Sequence, residues 1–375
     1  MSNKKIYLDI LIENQTFELL IEIIFKLSNS ENNDDIQIVT DALSVIENII
    51  EIYSISTKYI CEKTKFLYWI IKKIKSPKRD LMKIFSSELL VTIIQGCQDN
   101  RQFFFKTELI NEVFKILEEY KKKIPADEEE EEIVHNLFDC INNGLLIKEN
   151  QEVFRELSGI ELMLCFMRNN MFLRHIAIKT LNFACQENFS NSNYLVEIDG
   201  LGSIFSYFMG KGMKNKLKKM ADLIEENEEH CVSIITTLCK FLVNVNLDRL
   251  VFKFQENNFE KCERLIEFYK KYEKKLKDFE LISDEEDSDN NEDLSKNNRY
   301  FKKLNKGLLV FQNVSFILAF ILSKIDKKMT NKIKELLKIN DIKMINIKNT
   351  LLELISYLDN EDIKSIYRDS INYLS

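Results

Sequence analysis

The sequence predicts an all-α protein that is built as a solenoid of repeated helical units. The 375 residues include only two prolines and eight glycines, whereas all-β folds need many turn residues. Apolar residues make up 45% of the chain and recur at the spacing of helix faces, so a large core of packed helices is expected. Segments with the same order of helices also recur, which is typical of a repeat protein.

One stretch, residues 134–159, defines the repeat unit. Its apolar residues recur at helical spacing as far as Leu145, which predicts a long helix, and Asn150 is expected to end that run. Phe154 then anchors a short helix, and Gly159 opens the next one. The predicted unit is therefore a long helix, a break, a short helix with one aromatic anchor, and a glycine-led helix.

The same pattern occurs three times in the chain. Each copy has an asparagine that is expected to end a long helix, at Asn100, Asn150 and Asn191. An apolar residue follows four positions later, at Phe104, Phe154 and Leu195. A third repeat position lies nine residues after the asparagine, at Leu109, Gly159 and Gly200. The asparagines are 50 and 41 residues apart, and three helices per unit at this period are typical of armadillo repeats and their HEAT relatives. We therefore predict an armadillo/HEAT-like α-solenoid, a right-handed superhelix with a C-terminal helical cap.

The remaining segments are assigned in chain order from their apolar periodicity. The predicted organisation has armadillo-like repeats over 1–282, an acidic disordered linker over 283–298, and C-terminal helical repeats or a cap over 299–375. Helices outside the clearest repeats are predicted over 5–28, as one helix or a pair, and over 36–53, 88–97, 228–245, 259–279, 299–324, 328–339, 341–357 and 360–374.

The net charge of −7 is unevenly distributed along the chain. The run at 127–132 holds six acids and the run at 283–293 holds seven, so the remainder carries a charge of +6. The first run either attracts a basic partner segment or lies in a solubilising loop, inserted between helices, before a helix N-terminus that favours acids. In the second run, Ser283 and Ser288 are candidates for phosphorylation by acid-directed kinases; the alternative is an unmodified flexible linker.

The eight cysteines predict reduced core residues rather than disulfides or a metal site. None forms a C-x-x-C pair or a zinc-like cluster with histidine, and all lie in apolar helical segments. This usage is typical of the nucleus or cytoplasm. No signal peptide is recognised, and the most apolar run, 308–322, contains Gln312 and Asn313 and therefore predicts a buried helix rather than a membrane span.

Several short stretches occur in a fixed order from about Ala42 to about Ile355. They are LSVIEN at 43–48, WIIKK at 69–73, SE at 87–88, NLFD at 136–139, EEH at 228–230, KF at 253–254 with EN at 256–257, EK at 260–261 with RL at 264–265, and LxxGLxVxQ at 304–312. In this series the chain resembles the β-catenin-like protein 1 family of armadillo-type nuclear proteins. The ordered series, which extends over some 300 residues, is the feature that carries the resemblance.

The resemblance implies a nuclear armadillo scaffold. Members of the family associate with the spliceosome's Prp-nineteen-type complex and bind basic, import-signal-like segments of splicing factors. The family has a long N-terminal extension with a basic import signal and a first capping repeat, whereas this chain begins near the second repeat. This departure leaves self-association through that extension and the family's usual route of nuclear import as open questions for this chain.

Two polar helix faces are the candidates for partner binding. They comprise Asn136, Asp139 and Asn143 on one helix, and Glu229, Ser233 and Thr236, together with Lys240, on a later helix. Asparagine side chains can clamp the backbone amides of a peptide while acids meet its basic side chains. The alternative is that both faces are only solvated. Trp69 is the single tryptophan, so the tryptophan–asparagine array of an importin-type adaptor is absent.

No other class of function is predicted. Lysine-rich stretches at 72–83, 121–123, 211–219 and 270–277 have the pattern of solvated helix ends, so direct nucleic-acid binding is not expected. His135, His175 and His230 lie far apart in sequence, and no nucleophile elbow or phosphate-binding loop occurs, so no enzyme activity, cofactor, metal or small-molecule substrate is expected.

The sequence thus predicts a non-enzymatic nuclear scaffold in pre-messenger-RNA splicing that binds splicing-factor proteins. The alternative is a cytoplasmic armadillo scaffold or transport adaptor unrelated to splicing.

Overall fold

The computed structural model describes residues 2–77, 81–211, 221–283, 299–325 and 327–374. Within these ranges the chain consists of helices and their connections, without strands, which confirms the all-α prediction. Contacts divide the chain into two compact units, Met1–Ala184 and Cys185–Ser375. The predicted three-part division at 282 and 299 stays a prediction.

Unit 1 is a series of helices joined by short loops. They are α1 (Ser2–Glu13), α2 (Thr16–Leu27), α3 (Asn33–Ile52), α4 (Ser56–Lys63), α5 (Phe66–Lys75), α6 (Leu81–Gln95), α7 (Gln98–Lys106), α8 (Leu109–Glu118), α9 (Glu128–Gly144), α10 (Lys148–Glu156), α11 (Gly159–Asn169) and α12 (Arg174–Cys185), which ends at the division between the units.

The predicted repeat is present as three sets of a short, a second and a third helix: α4–α6, α7–α9 and α10–α12. The third helices pack in series, because α3 contacts α6 and α6 contacts α9. Gly159 is needed for close packing inside one set. It follows Ser158, which has a left-handed φ of 60°, and a Cβ at Gly159 would lie 2.5 Å from the Phe154 ring.

The three repeat asparagines do not end the long helices, contrary to the prediction. The long helices end at Gln95, Gly144 and Cys185, and each asparagine is the third residue of the short helix that follows. The side chain of Asn150 is buried and donates from Nδ2 to the Gly144 carbonyl (2.9 Å) and to the Arg101 carbonyl (3.0 Å). Asn150, on α10, therefore links two helices of the set before its own, namely the end of the long helix α9 and the short helix α7.

The acidic run at 127–132 is not a loop insertion. Asp127 caps α9 by accepting a hydrogen bond from the Glu130 amide (2.9 Å), and the glutamates form the first turns of the helix, where its dipole favours acids. Burial alone would raise the pKa of Glu130, but hydrogen bonds from Lys123, the Ala126 amide and Tyr120 lower it to about 2. The loop that lengthens this repeat precedes the acidic run.

Unit 2 begins with another short, second and third helix and then changes pattern. Its helices are α13 (Phe189–Glu197), α14 (Gly200–Phe208), α15 (Ala221–Phe241), α16 (Asn244–Ser283), α17 (Leu308–Lys324), α18 (Lys327–Ile339), α19 (Met344–Tyr357) and α20 (Glu361–Ile371), with further helical residues at 299–304 and a 3₁₀ turn at Asn372–Leu374. The long helix α16 is broken at residues 256–259, where Asn257, Asn258 and Phe259 have left-handed φ values.

The predicted buried helix is α17. All of its residues from Leu308 to Leu322 are buried except Leu309, and it packs against α15, α16, α19 and α20. That the last two helices act as a terminal cap stays a prediction. Across the described part of the chain, no helix combines the length and apolarity that crossing a membrane requires.

Some predicted features fall outside the described residues. These are the linker at 283–298 with Ser288, apart from Ser283 as the last residue of α16, and the basic stretch at 211–219 apart from Lys211.

Candidate functional site

Three glutamates line up on the successive third helices of unit 1. Glu47 lies on α3, Glu88 on α6 and Glu132 on α9, at spacings of 41 and 44 residues that match the repeat. The carboxyl groups of Glu88 and Glu132 are within hydrogen-bonding reach of each other, and Glu47 is close enough to act on Glu88 electrostatically. We call Glu47, Glu88 and Glu132 the acidic ladder.

The acidic ladder has no compensating cation among the described residues. Burial raises the pKa of Glu88, and the charge of Glu132, its hydrogen bond and the charge of Glu47 raise it further. Burial also raises the pKa of Glu47, with a contribution from Glu51. The contributions of Glu132, Glu47 and Glu51 to these shifts indicate that neighbouring carboxylates repel one another, and a bound cation would relieve that repulsion.

The predicted residues of α9 lie beside the ladder. One stripe of α9 is formed by residues that follow one another at helical spacing and are exposed or half-buried: Glu132, Asn136, Asp139 and Asn143. Asn136 donates from Nδ2 to Ser87 Oγ on α6 (2.9 Å), and Asn143 donates from Nδ2 to the Asp139 carbonyl (2.8 Å). The Asn136 amide therefore holds α9 against α6, while the Asp139 side chain remains half-buried on the stripe.

The second predicted face, on α15 in unit 2, is only partly accessible. Glu229 and Ser233 are half-buried, but Thr236 is 2% exposed and thus not available to a partner in this structure. Burial raises the pKa of Glu229, and the nearby Glu226 raises it further. Glu229 is therefore a further carboxylate whose ionised form is disfavoured in this structure.

A family model described as catenin-beta-like, Arm-motif containing nuclear matches residues 2–352. The chain belongs to this family. The proteins named Beta-catenin-like protein 1 from Homo sapiens and Rattus norvegicus are each 26% identical to it, over 96% of this chain and 64% of theirs. A homolog from Schizosaccharomyces pombe is 25% identical over 83% of this chain and 54% of its own length. The chain thus spans less than two thirds of the length of these curated relatives.

Among solved structures, an engineered protein aligns with a TM-score of 0.46 and 10% identity, over 82% of this chain and 96% of its own. The family match confirms the resemblance deduced from the short sequence stretches, and with it the Arm-motif repeat architecture of this catenin-beta-like chain.

None of the three ladder residues was predicted as a site residue, although Glu132 belongs to the acidic run at 127–132 that was considered for attracting a basic partner. Glu47 lies within LSVIEN and Glu88 within the SE pair, two stretches that resemble the catenin-beta-like family. Aligning the third helices of the repeats would have placed both in one column with Glu132. Their proximity, however, comes from the packing of helices that are 41 and 44 residues apart in sequence.

The structure brings together two histidines that the sequence separates. The ring centroids of His135 and His175 are 5.9 Å apart, and Phe172 lies 6.3 Å from each. These rings pack as an aromatic cluster. In the ranges that the structure describes, no three His, Cys, Asp or Glu side chains are placed to hold a metal ion.

The eight cysteines are free thiols, and six of them are buried. Burial raises the pKa of Cys185 to about 12 and holds the pKa of Cys140 well above its usual range. These thiols therefore pack as small apolar side chains.

Proposed function

We propose that this chain is a non-enzymatic protein–protein interaction scaffold of the nucleus, associated with pre-messenger-RNA splicing. It docks basic segments of splicing factors along the third helices of unit 1. The acidic ladder is the observation that supports this proposal most directly, because it leaves three neighbouring carboxylates without a basic partner among the described residues. The family's description as nuclear supports the location.

The spacing of the ladder indicates how a basic segment would fit. Packed helices lie about 8–10 Å apart, and an extended chain advances about 3.3 Å per residue. An extended segment that crosses the third helices would therefore place a Lys or Arg side chain on successive glutamates when its basic residues are about three positions apart. Two further groups lie on the same stripe of α9. The Asp139 carboxylate can accept hydrogen bonds from the basic side chains that flank the segment, and the Asn143 side-chain amide can hydrogen-bond the segment's backbone.

The ladder acts through several weak contacts rather than one strong contact. Exposed ion pairs each contribute at most about 1 kcal/mol and are screened by salt. A docked cation also removes the repulsion between Glu88 and Glu132, so the second and third contacts reinforce the first. We expect micromolar affinity that depends on the order of the basic residues in the segment and not only on their number.

Fluorescence anisotropy with a labelled basic, import-signal-type peptide tests this proposal. The double variant Glu88→Gln and Glu132→Gln should weaken binding about tenfold or more, because two charged contacts are lost. Glu152→Gln on the short helix α10 makes the same chemical change at an exposed site and should leave affinity unchanged. Reversals Asp139→Lys and Glu229→Lys report separately on the two predicted faces.

A charge-matched scrambled peptide is the second control. Equal binding of both peptides, unchanged by the ladder variants, would contradict the proposal and leave only non-specific attraction. Recovery of the tagged protein from nuclei together with splicing proteins would support the link to splicing. Recovery with cytoplasmic proteins alone would favour the transport or scaffold alternative.

A further inference from the structure

Unit 2 contains an open cavity of about 500 Å³ bounded by α15, α17, the start of α16 and α20. Lys240 of α15 lines it, together with Phe320 and Lys324 of α17 and Asp369 of α20. The side chains of Leu242 and Leu247 form an apolar part of its wall. The cavity therefore combines apolar wall residues with charged and polar side chains, a composition that can hold a ligand with both an apolar and a charged group.

Lys240 is the unusual residue of this cavity. Its Nζ lies 4.8 Å from the ring centroid of Tyr367 and 5.7 Å from that of Phe316, so the amine is held over two aromatic faces. It forms no ion pair and donates no hydrogen bond to any residue that the structure describes. Because the aromatic rings only partly replace water, the ammonium group lacks a full set of partners.

The electrostatics agree with this geometry. Burial lowers the pKa of Lys240 to about 8, and the negative charge of Glu187 offsets only part of that effect. At neutral pH the side chain is still mostly charged, so folding leaves a poorly compensated cation in the cavity wall. A group of this kind in a cleft is a candidate for ligand binding, since an anion would remove its desolvation penalty.

The other lining groups limit the chemistry of the anion. Ser323 and Ser370 donate their hydroxyl hydrogens to the carbonyls of Phe320 and Ile366 within their own helices, so they offer no free donor. Two lysines and one aspartate give the lining a net charge of +1. This balances a single carboxylate, whereas a doubly charged phosphate would remain in excess.

We propose that this cavity binds the carboxylate of a Glu or Asp side chain flanked by an apolar residue, in a peptide segment of a partner protein. The Lys240 ammonium forms an ion pair with the carboxylate. The neighbouring apolar side chain packs against the wall formed by Leu242, Leu247 and Phe320. The site is opposite in charge preference to the acidic ladder and does not depend on it, so either assignment can fail while the other stands.

The test uses a labelled peptide that presents Glu between Leu and Phe, and its counterpart with Gln in place of Glu, both titrated into the 375-residue chain. The Glu peptide should bind saturably and the Gln peptide at least about tenfold more weakly, as expected for a charge-assisted contact. Lys240→Met preserves most of the side-chain volume and should weaken the Glu peptide to the level of the Gln peptide. Lys240→Arg should recover part of the affinity.

Lys338→Met, on the exposed side of α18, is the matched control and should have no effect. NMR titration of the Lys240 amine gives a readout that does not depend on the variants: saturating Glu peptide should raise its pKa, and Gln peptide should not. No binding up to millimolar concentration, or equal binding of the Glu peptide to wild type and Lys240→Met, would overturn the proposal. Free 3-phenylpropionate binding as tightly as the peptide would overturn the assignment to a peptide.

Discussion

The acidic ladder of unit 1 and the cavity lined by Lys240 in unit 2 both contain uncompensated charge, negative in the ladder and positive in the cavity. The ladder distributes three carboxylates over a partly exposed face, with one residue from each repeat, and burial together with repulsion between neighbours raises the pKa of Glu88. The cavity concentrates one cation over two aromatic rings, and burial lowers the pKa of Lys240. Both shifts favour the neutral form, so each site is less stable alone than with a partner of opposite charge.

The difference between the regions indicates how a repeat protein obtains two kinds of site. Repetition gives the ladder many weak contacts with a fixed spacing, which suits an extended segment. The break in the pattern after α15, where α17 and α20 cover a helix face, gives an open cavity, which suits one anchoring side chain. Four changes would break or sharpen this contrast.

The largest effect is expected from Phe154→Ala, which removes a fully buried ring from between α10 and α11. Loss of an aromatic core side chain costs about 3–5 kcal/mol, so the urea midpoint of unit 1 should fall sharply and binding of the basic peptide should weaken with it. Phe189→Ala, at a ring that is 51% exposed, is the control and should change stability by less than about 0.5 kcal/mol. Similar midpoints for the two variants would show that Phe154 is not a core anchor.

The next effect is expected from Lys240→Met, which should stabilise the protein at pH 7 by about 1–3 kcal/mol. The folded-state pKa of Lys240, about 8, lies below its ordinary value of 10.5, so the destabilisation by the charged form is fully present below pH 8 and is lost as pH rises towards 10.5. Chemical denaturation of both proteins at pH 7 and at pH 10 measures this. A difference that grows with pH would be the wrong sign for a buried lysine.

A smaller effect is expected from Ser87→Ala, which removes the acceptor for the Asn136 amide. The change also removes the hydrogen bond that the Ser87 hydroxyl donates to the Ile84 carbonyl (2.7 Å), so two hydrogen bonds are lost. Stability should fall by about 1–2 kcal/mol, and the basic peptide should bind a few-fold more weakly because α9 is less firmly held on α6. Ser86→Ala is a close control, since Ser86 is also buried but its hydroxyl has no partner among the described residues. Equal effects of the two changes on thermal unfolding would argue against the Asn136 contact.

The smallest effect is expected from Glu88→Gln, which should raise the thermal midpoint at pH 7 by less than about 3 °C. The folded-state pKa of Glu88 is raised above 4.5, so its ionised form is destabilising above the folded-state pKa and the penalty disappears as pH falls below 4.5. The gain should therefore vanish in scans at pH 4. Glu152→Gln, as in the peptide assay, should give no gain at either pH.

The sequence by itself determined the elements that depend on local pattern. Apolar periodicity predicted the long third helices and the buried helix α17, and the glycine at position 159 marked the start of α11, because helix faces and φ preferences are properties of neighbouring residues. It also predicted the polar stripe of α9, since spacings of three and four residues place side chains on one side of any helix.

Only the tertiary structure decided which of those polar residues are accessible and what surrounds them. Asn150 looked like a helix end but is a buried link, because one of its acceptors, the Arg101 carbonyl, belongs to the preceding repeat. The sequence predicted one polar side of α15, formed by Glu229, Ser233, Thr236 and Lys240. In the structure, however, Thr236 is buried and Lys240 lies against rings from α17 and α20. Partners dozens of residues away set burial and electrostatics, and local periodicity contains no information about them.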